Sequence, residues 1–256
     1  MEPDTQMRAA LLVVDMQEDF CPPELAMHTY QNYNEQNGSL AIQDGRSIAP
    51  LINKLLALPG FVVKIGTQDF HPESHISFAT NHPAPSNIPF TSTIETKNPV
   101  AGAEDETKTQ RLWPPHCIQG TKGASFIPEI ESEKLDAMVR KGMDERVEMY
   151  SAFTDAFGNG NCVEAGGASH DLEALLNEHQ VSDVFIVGLA GDYCVRFTAI
   201  DAADRGFRTY VIDEATKCVD PDEGWETSKM DMAAHGVRVI SADGIEEAIN
   251  KSCIRV

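Results

Sequence analysis

Side chains able to carry chemistry stand at the ends of short apolar runs: Asp15 after Ala9–Val14, Asp69 and His71 after Phe61–Gly66, Lys141 after Leu135–Arg140, and Cys194 after Val184–Leu189. Cys194 closes Gly188-Leu-Ala-Gly-Asp-Tyr-Cys194, which reads as a strand-to-helix turn. A thiol there sits where unpaired N–H groups and the positive end of a helix dipole favour thiolate and can hold a developing oxyanion. Most cysteines are simply packing residues. Position sets Cys194 apart from Cys21, Cys117, Cys162, Cys218 and Cys253. A nucleophilic thiol needs a base that takes its proton and returns it to the leaving group. No histidine follows a strand near Cys194, but Asp15 steadied by Lys141 could serve. Taken singly, Asp15 also reads as a turn or cap aspartate and Lys141 as a solvated strand-end lysine.

Asp69 and His71 are two residues apart, so in an extended segment both side chains face the same way. With His116, from Trp113-Pro-Pro-His116-Cys117, they make a carboxylate–His–His set suited to Zn²⁺, Fe²⁺ or Mn²⁺ with open positions. His71 with His75, four apart after Pro72, is a rival pairing, and His82 a further candidate. Phe20, Trp113, Tyr150 and Tyr193 lie close in sequence to these groups and would suit a flat aromatic substrate, although aromatic core packing explains each one alone equally well.

These groups need a scaffold that brings strand ends together. Strands expected at 9–14, 61–66, 135–140, 184–189, 208–212 and 236–240 alternate with helices at 46–58, 193–205, 225–234 and 244–250. That pattern predicts an α/β fold: a parallel sheet with helices on both faces, formed as one domain over 1–256. In such sheets ligands bind outside the carboxyl ends of the strands. Gln68–Phe126, rich in proline, is expected as a long functional loop region with a mobile polar middle at Glu95–Arg111. Gly158–Ser169 is expected as a surface insertion.

The chain has 256 residues with 40 acidic against 20 basic side chains, a formal charge of −20, which argues against nucleic acid or an anionic membrane as partner. The N-terminal apolar run is short and ends at Asp15, as a first strand does and a signal peptide does not. No stretch approaches the length needed to span a bilayer. Sparse cysteines and no targeting signal predict a reduced, cytoplasmic protein acting on a small molecule. A homo-oligomer is left open.

Val14-Asp-Met-Gln-Glu-Asp-Phe20, Asp69-Phe-His71-Pro72 with His75-Ile-Ser-Phe78, Trp113-Pro-Pro-His-Cys117, Lys141-Gly142 with Tyr150-Ser-Ala-Phe153, and Gly188-Leu-Ala-Gly-Asp-Tyr-Cys-Val195 follow in that order. Together they resemble the isochorismatase-like cysteine hydrolases, most of all the branch that cleaves nicotinamide. The resemblance implies the isochorismatase-like hydrolase fold and an Asp–Lys–Cys triad at Asp15, Lys141 and Cys194. It implies a divalent metal, usually Zn²⁺, on Asp69, His71 and His116, and an aromatic pocket of Phe20, Trp113, Tyr150 and Tyr193. It places a cis peptide at Leu189–Ala190 and oxyanion donors at the N–H groups of Ala190 and Cys194. The implied reaction is hydrolysis of nicotinamide to nicotinic acid and ammonia through a Cys194 thioester, in NAD salvage. The alternatives are a relative that cleaves another amide or a ureide, pyrazinamide among them, and a metal-binding protein that kept the fold and lost turnover. The isochorismatase branch itself needs no metal, so Asp69, His71 and His116 argue against it.

Overall fold

In the computed structural model, which describes residues 7–22, 39–246 and 249, Ala9–Val14 forms strand β1. Every residue of β1 is buried, because this central strand is covered on both faces and its run of Ala, Leu and Val needs no alternation. The helix expected over 46–58 starts as a 3₁₀ turn, Gly45–Ile48, and continues as α1, Ala49–Leu56, with proline in its first turn. Strand β2, Phe61–Asp69, runs three residues beyond its expected end, so Asp69 belongs to the sheet.

Where a loop is expected at Glu95–Arg111, the structure has a hairpin. Thr93–Lys97 and Thr107–Arg111 form β3 and β4, an antiparallel hairpin pairing Ile94 with Gln110 and Thr96 with Lys108. Ile94 and Thr96 turn to the less exposed face and Glu95 outward. That period-2 pattern is carried by a single apolar residue, and hydropathy alone does not reveal it. β5 follows at Ala137–Lys141. Gly158–Ser169 is a run of turns tied to the sheet where Ala168 bridges to Lys141.

Helix α2, Leu172–Glu178, was not anticipated; the Asp171 carboxylate caps it by accepting the Ala174 N–H. Then come β6 (Asp183–Gly188), α3 (Arg196–Asp204), β7 (Arg208–Thr216), α4 (Glu223–Ala234) and β8 (Arg238–Ile240). The closing helix expected at 244–250 lies partly outside the described residues; Ile245 and Glu246 are helical.

The six main strands form one all-parallel sheet in the order β5-β2-β1-β6-β7-β8. Leu11 and Val13 of β1 join Ile52, Leu55 and Leu56 of α1 on one face. Ala10, Leu12 and Val14 join Leu172 and Leu176 of α2, Ala199 and Ala202 of α3, and Met232 of α4 on the other. The chain leaves β1 toward β2 and β5, then returns on the far side of β1 to start β6. The strand order therefore reverses between β1 and β6, and all six carboxyl ends share one edge, the arrangement that opens a crevice at that point.

Candidate active site

Along that edge stand Lys141 at the end of β5, Asp69 at the end of β2, Asp15 just past β1, and Cys194 just past β6. The strand register sets them side by side: Asp69 pairs with Lys141, and Val14 pairs with both Thr67 and Gly188. Lys141 Nζ lies 3.1 Å from Asp15 Oδ2, donates to Cys194 Sγ at 3.4 Å and to the Met149 carbonyl at 3.2 Å, and pairs closely with Asp69 Oδ1. Thr67 Oγ1 donates to Asp15 Oδ1 at 2.6 Å. Ligating atoms of Asp15, Asp69 and Cys194 lie within 4.8 Å of one another. Asp15 and Lys141 are fully buried and Cys194 is 4 % exposed.

Burial on that scale dictates the charge states. It would discharge Lys141, but the Asp15 and Asp69 carboxylates outweigh it and hold the ammonium well above its ordinary value. Burial raises the Asp15 carboxyl above its usual range, against the pull of Lys141. Cys194 is pushed well above the ordinary thiol range by burial, with Lys141 acting the other way. Desolvation thus opposes the thiolate that the turn favours, in keeping with the expectation that Cys194 needs a base to take its proton.

The turn itself also differs from a plain helix start. Gly191–Val195 forms a π-helical turn, so α3 begins only at Arg196 and Cys194 sits inside the widened turn. The Leu189–Ala190 peptide is cis. The Ala190 carbonyl accepts the Tyr193 and Val195 N–H groups, while its own N–H meets no backbone carbonyl among the described residues. The Asp192 carboxylate accepts the Val219 and Asp220 N–H groups at 2.9 and 2.8 Å, pinning the turn to the segment after β7. Gly188, with φ +117°, is required here: a Cβ would lie 2.1 Å from the Val14 carbonyl oxygen.

Asp69, His71 and His116 converge, their ligating atoms within 4.8 Å. Asp69 Oδ2 is 3.5 Å from His71 Nε2 and 3.8 Å from His116 Nε2. Each ring is held from behind, His71 Nδ1 on the Gly142 carbonyl and His116 Nδ1 on the Pro114 carbonyl, both at 2.8 Å. Those acceptors fix the proton on Nδ1 and turn the Nε2 lone pairs inward, as metal-ligating histidines require. His71 Nε2 is buried without a hydrogen-bond partner, a costly state that a cation would relieve. The donor set fits a divalent metal. His75 stacks on His71, ring centroids 4.1 Å apart. Its own nitrogens are engaged by Ser77 Oγ at 2.8 Å and the Val147 carbonyl at 3.2 Å. Burial, helped by His71, holds it down to about 3, so it is neutral and turned to the protein. His82 bonds the Ile76 carbonyl through Nε2.

The aromatic residues fall into two places. Trp113, Tyr150 and Tyr193 form one cluster, with Trp113–Tyr193 at 5.1 Å and Tyr150–Tyr193 at 5.4 Å between centroids. Phe20 lies instead against His116 at 5.5 Å. Tyr193 immediately precedes Cys194, and Tyr150 follows the Met149 carbonyl that receives Lys141.

Several buried polar groups at the site escaped sequence reasoning. Gln17 accepts the Asp69 N–H through Oε1 at 2.9 Å and donates to the Asp69 carbonyl through Nε2 at 2.8 Å, so it fixes that strand end. Glu148 is buried, with an oxygen within 4.8 Å of ligating atoms of His71 and His75. Thr67 supports Asp15. Gln17 lies inside the quoted Val14–Phe20 motif, and Thr67 and Glu148 each stand two residues before a motif residue, but only tertiary contact reveals what they touch.

A family model for the isochorismatase domain matches residues 85–244. The nicotinamidase of Acinetobacter baylyi is 35 % identical over 236 residues, spanning 92 % of this chain and 94 % of that one. The yeast nicotinamidase bound to the inhibitor nicotinaldehyde superposes with a TM-score of 0.77 at 31 % identity, over 91 % of this chain and 99 % of the other. A pyrazinamidase of Pyrococcus horikoshii in complex with zinc gives a TM-score of 0.63 at 28 % identity, over 91 % and 99 %. With this sheet order and these relatives over nearly its whole length, the chain belongs to the isochorismatase family, alongside its nicotinamidases.

Proposed function

We propose that the protein hydrolyses nicotinamide to nicotinic acid and ammonia through a thioester on Cys194. The observation that carries this reading is the buried contact of Cys194 Sγ with Lys141 Nζ at 3.4 Å, in the same cluster as an Asp15 carboxylate 3.1 Å from that ammonium. A thiol, a carboxylate with raised proton affinity and a fixed cation together form a unit that can transfer one proton and keep its net charge.

Asp15 takes the Cys194 proton as sulfur attacks the carboxamide carbon. The oxyanion that forms is held by the N–H groups of Ala190 and Cys194. As the tetrahedral adduct collapses, Asp15 returns the proton to nitrogen and ammonia leaves. Asp15 then takes a proton from water, which attacks the thioester carbon, and the Cys194 thiol is restored as nicotinic acid departs. Lys141 stays charged throughout and compensates whichever of Asp15 or Cys194 carries the negative charge.

Asp69, His71 and His116 would hold a divalent metal, for which we take zinc as first choice, as in the complex of the Pyrococcus pyrazinamidase. When bound, the metal would supply a Lewis acid able to orient a pyridine ring through its nitrogen. Trp113, Tyr150, Tyr193 and Phe20 enclose the flat ring. The reading places the enzyme in the cytoplasm, in NAD salvage. Among the described residues no helix is long and apolar enough to cross a membrane.

Purified protein incubated with nicotinamide, with ammonia and nicotinic acid measured together and Cys194→Ala as the blank, tests the reading. Equal release of both products by the unmodified protein alone is expected. Release of neither from a folded, metal-loaded sample overturns it. Pyrazinamide is a second substrate to include, because a pocket shaped for a pyridine admits a pyrazine of the same outline.

A further inference from the structure

The two tyrosines of the ring pocket are held from outside the main sheet. Strand β4 ends in Gln110 and Arg111, which belong to none of the motifs. Gln110 is buried, and its Nε2 donates to the Tyr150 hydroxyl at 2.9 Å. Trp113 Nε1 donates to the same oxygen at 2.9 Å. Two incoming N–H groups fill both lone pairs of that oxygen, so Tyr150 is left as a donor only and its ring is fixed from two directions. Arg111 Nη1 donates to the Tyr193 hydroxyl at 3.0 Å, and its guanidinium lies over the Trp113 ring, 5.7 Å from the centroid. Both tyrosines thus depend on one strand end.

That strand end is itself anchored. The Leu112 N–H donates to the Ser92 carbonyl at 2.9 Å, closing the base of the hairpin. Farther out, Lys108 Nζ donates to the Ala156 carbonyl at 2.8 Å and Asn159 Nδ2 to Asn98 Oδ1 at 3.0 Å. The hairpin is a braced wall, fastened to the body of the protein at one side and to the pocket at the other.

We propose that the β3–β4 hairpin is the specificity wall of the ring pocket, with Gln110 the positioning residue that fixes Tyr150 and thereby sets the slot to the width of a single six-membered aromatic ring. This rests on the nicotinamide reading of the site. Arg111 exerts the weaker hold, because it is exposed and its bond to Tyr193 competes with water.

The test uses the full, metal-loaded protein with Gln110→Ala, Tyr150→Phe and the double variant. In Gln110→Ala the dissociation constant for nicotinic acid by equilibrium dialysis should rise about five- to tenfold, the scale of one buried hydrogen bond. The KM for nicotinamide should rise in parallel while kcat changes far less. Preference for nicotinamide over the bicyclic quinoline-3-carboxamide should fall by a similar factor. Tyr150→Phe, which also frees Trp113 Nε1, should have at least the same effect, and adding Gln110→Ala to it should change little, since the Gln110–Tyr150 contact is already gone. Affinity and ring preference within about twofold of the unmodified protein, or strictly additive effects accompanied only by a lower melting temperature, would overturn the proposal. Failure of the functional reading looks different: the unmodified protein would leave nicotinamide intact, while the nicotinic acid affinities still judge the wall.

Discussion

Asp69 divides its carboxylate between two unlike halves of the site. Oδ1 faces the Lys141 ammonium, and Oδ2 faces His71 and His116 at 3.5 and 3.8 Å. On the Lys141 side, the Asp15 and Asp69 carboxylates share one buried ammonium, and Asp15 Oδ2 meets it at 3.1 Å without forming a hydrogen bond. On the proposed mechanism, proton transfer there is internal, between Cys194 and Asp15. On the histidine side, backbone carbonyls hold each ring by Nδ1 and leave His71 Nε2 buried without a partner. On the proposed function the first half moves a proton and the second receives a metal. The same burial thus raises the proton affinity of a base in one place and exposes a lone pair in the other, according to what stands behind each side chain.

Removing the proposed nucleophile should break the Lys141 half outright. Cys194→Ala should reduce nicotinamide turnover by at least about 10⁴-fold, read as kcat, with the melting temperature little changed. Residual activity near that of the unmodified protein would move the chemistry elsewhere. Asp15→Asn should cost about 10³- to 10⁴-fold in kcat, the span of a general acid–base group. The pH profile carries the same information with a sign. If Asp15 is the base of the proposed mechanism, turnover needs it ionised; burial raises that carboxyl, so the acid limb of kcat/KM should lie above the ordinary carboxylate range, with rate lost as pH falls through it. Thr67 Oγ1 holds the charged form, so Thr67→Val should move this limb to higher pH. A limb that stays in place would remove Thr67 from the account.

Breaking the histidine half should look different. His71→Ala or chelation should lower kcat/KM for nicotinamide by about 10²-fold, mostly through KM, with bound metal lost in parallel by elemental analysis. A large fall in kcat at unchanged KM would mean the halves are not separable. Asp69→Asn belongs to both halves and should show both signatures. The smallest effect is expected at His75, whose nitrogens are already engaged. His75→Gln should leave metal stoichiometry as in the unmodified protein; loss of the metal would make His75 a ligand.

Sequence and structure agree best where side chains serve a single element. β1 is legible because all six residues are apolar and both faces are covered. Asp15 and Cys194 are legible because each follows such a strand, and parallel topology sends every strand end to one edge. The β3–β4 hairpin was hidden because its alternation is carried by Thr, Glu, Lys and one Ile, where polarity masks the period. The need for a base at Cys194 is legible from the chemistry of a thiol nucleophile, whereas the strength of desolvation at 4 % exposure is visible only in the fold. Gln17, Glu148 and Gln110 act through partners remote in sequence, 52 residues away for Gln17 and Asp69 and 40 for Gln110 and Tyr150. No local pattern signals them.

Intact-protein mass spectrometry of acid-quenched turnover, followed by peptide mapping, tests the central claim most directly. Cys194 is predicted to carry a nicotinoyl group during the steady state and none after substrate is exhausted. Turnover at full rate with every cysteine unmodified, or with the acyl group on another residue, would contradict it.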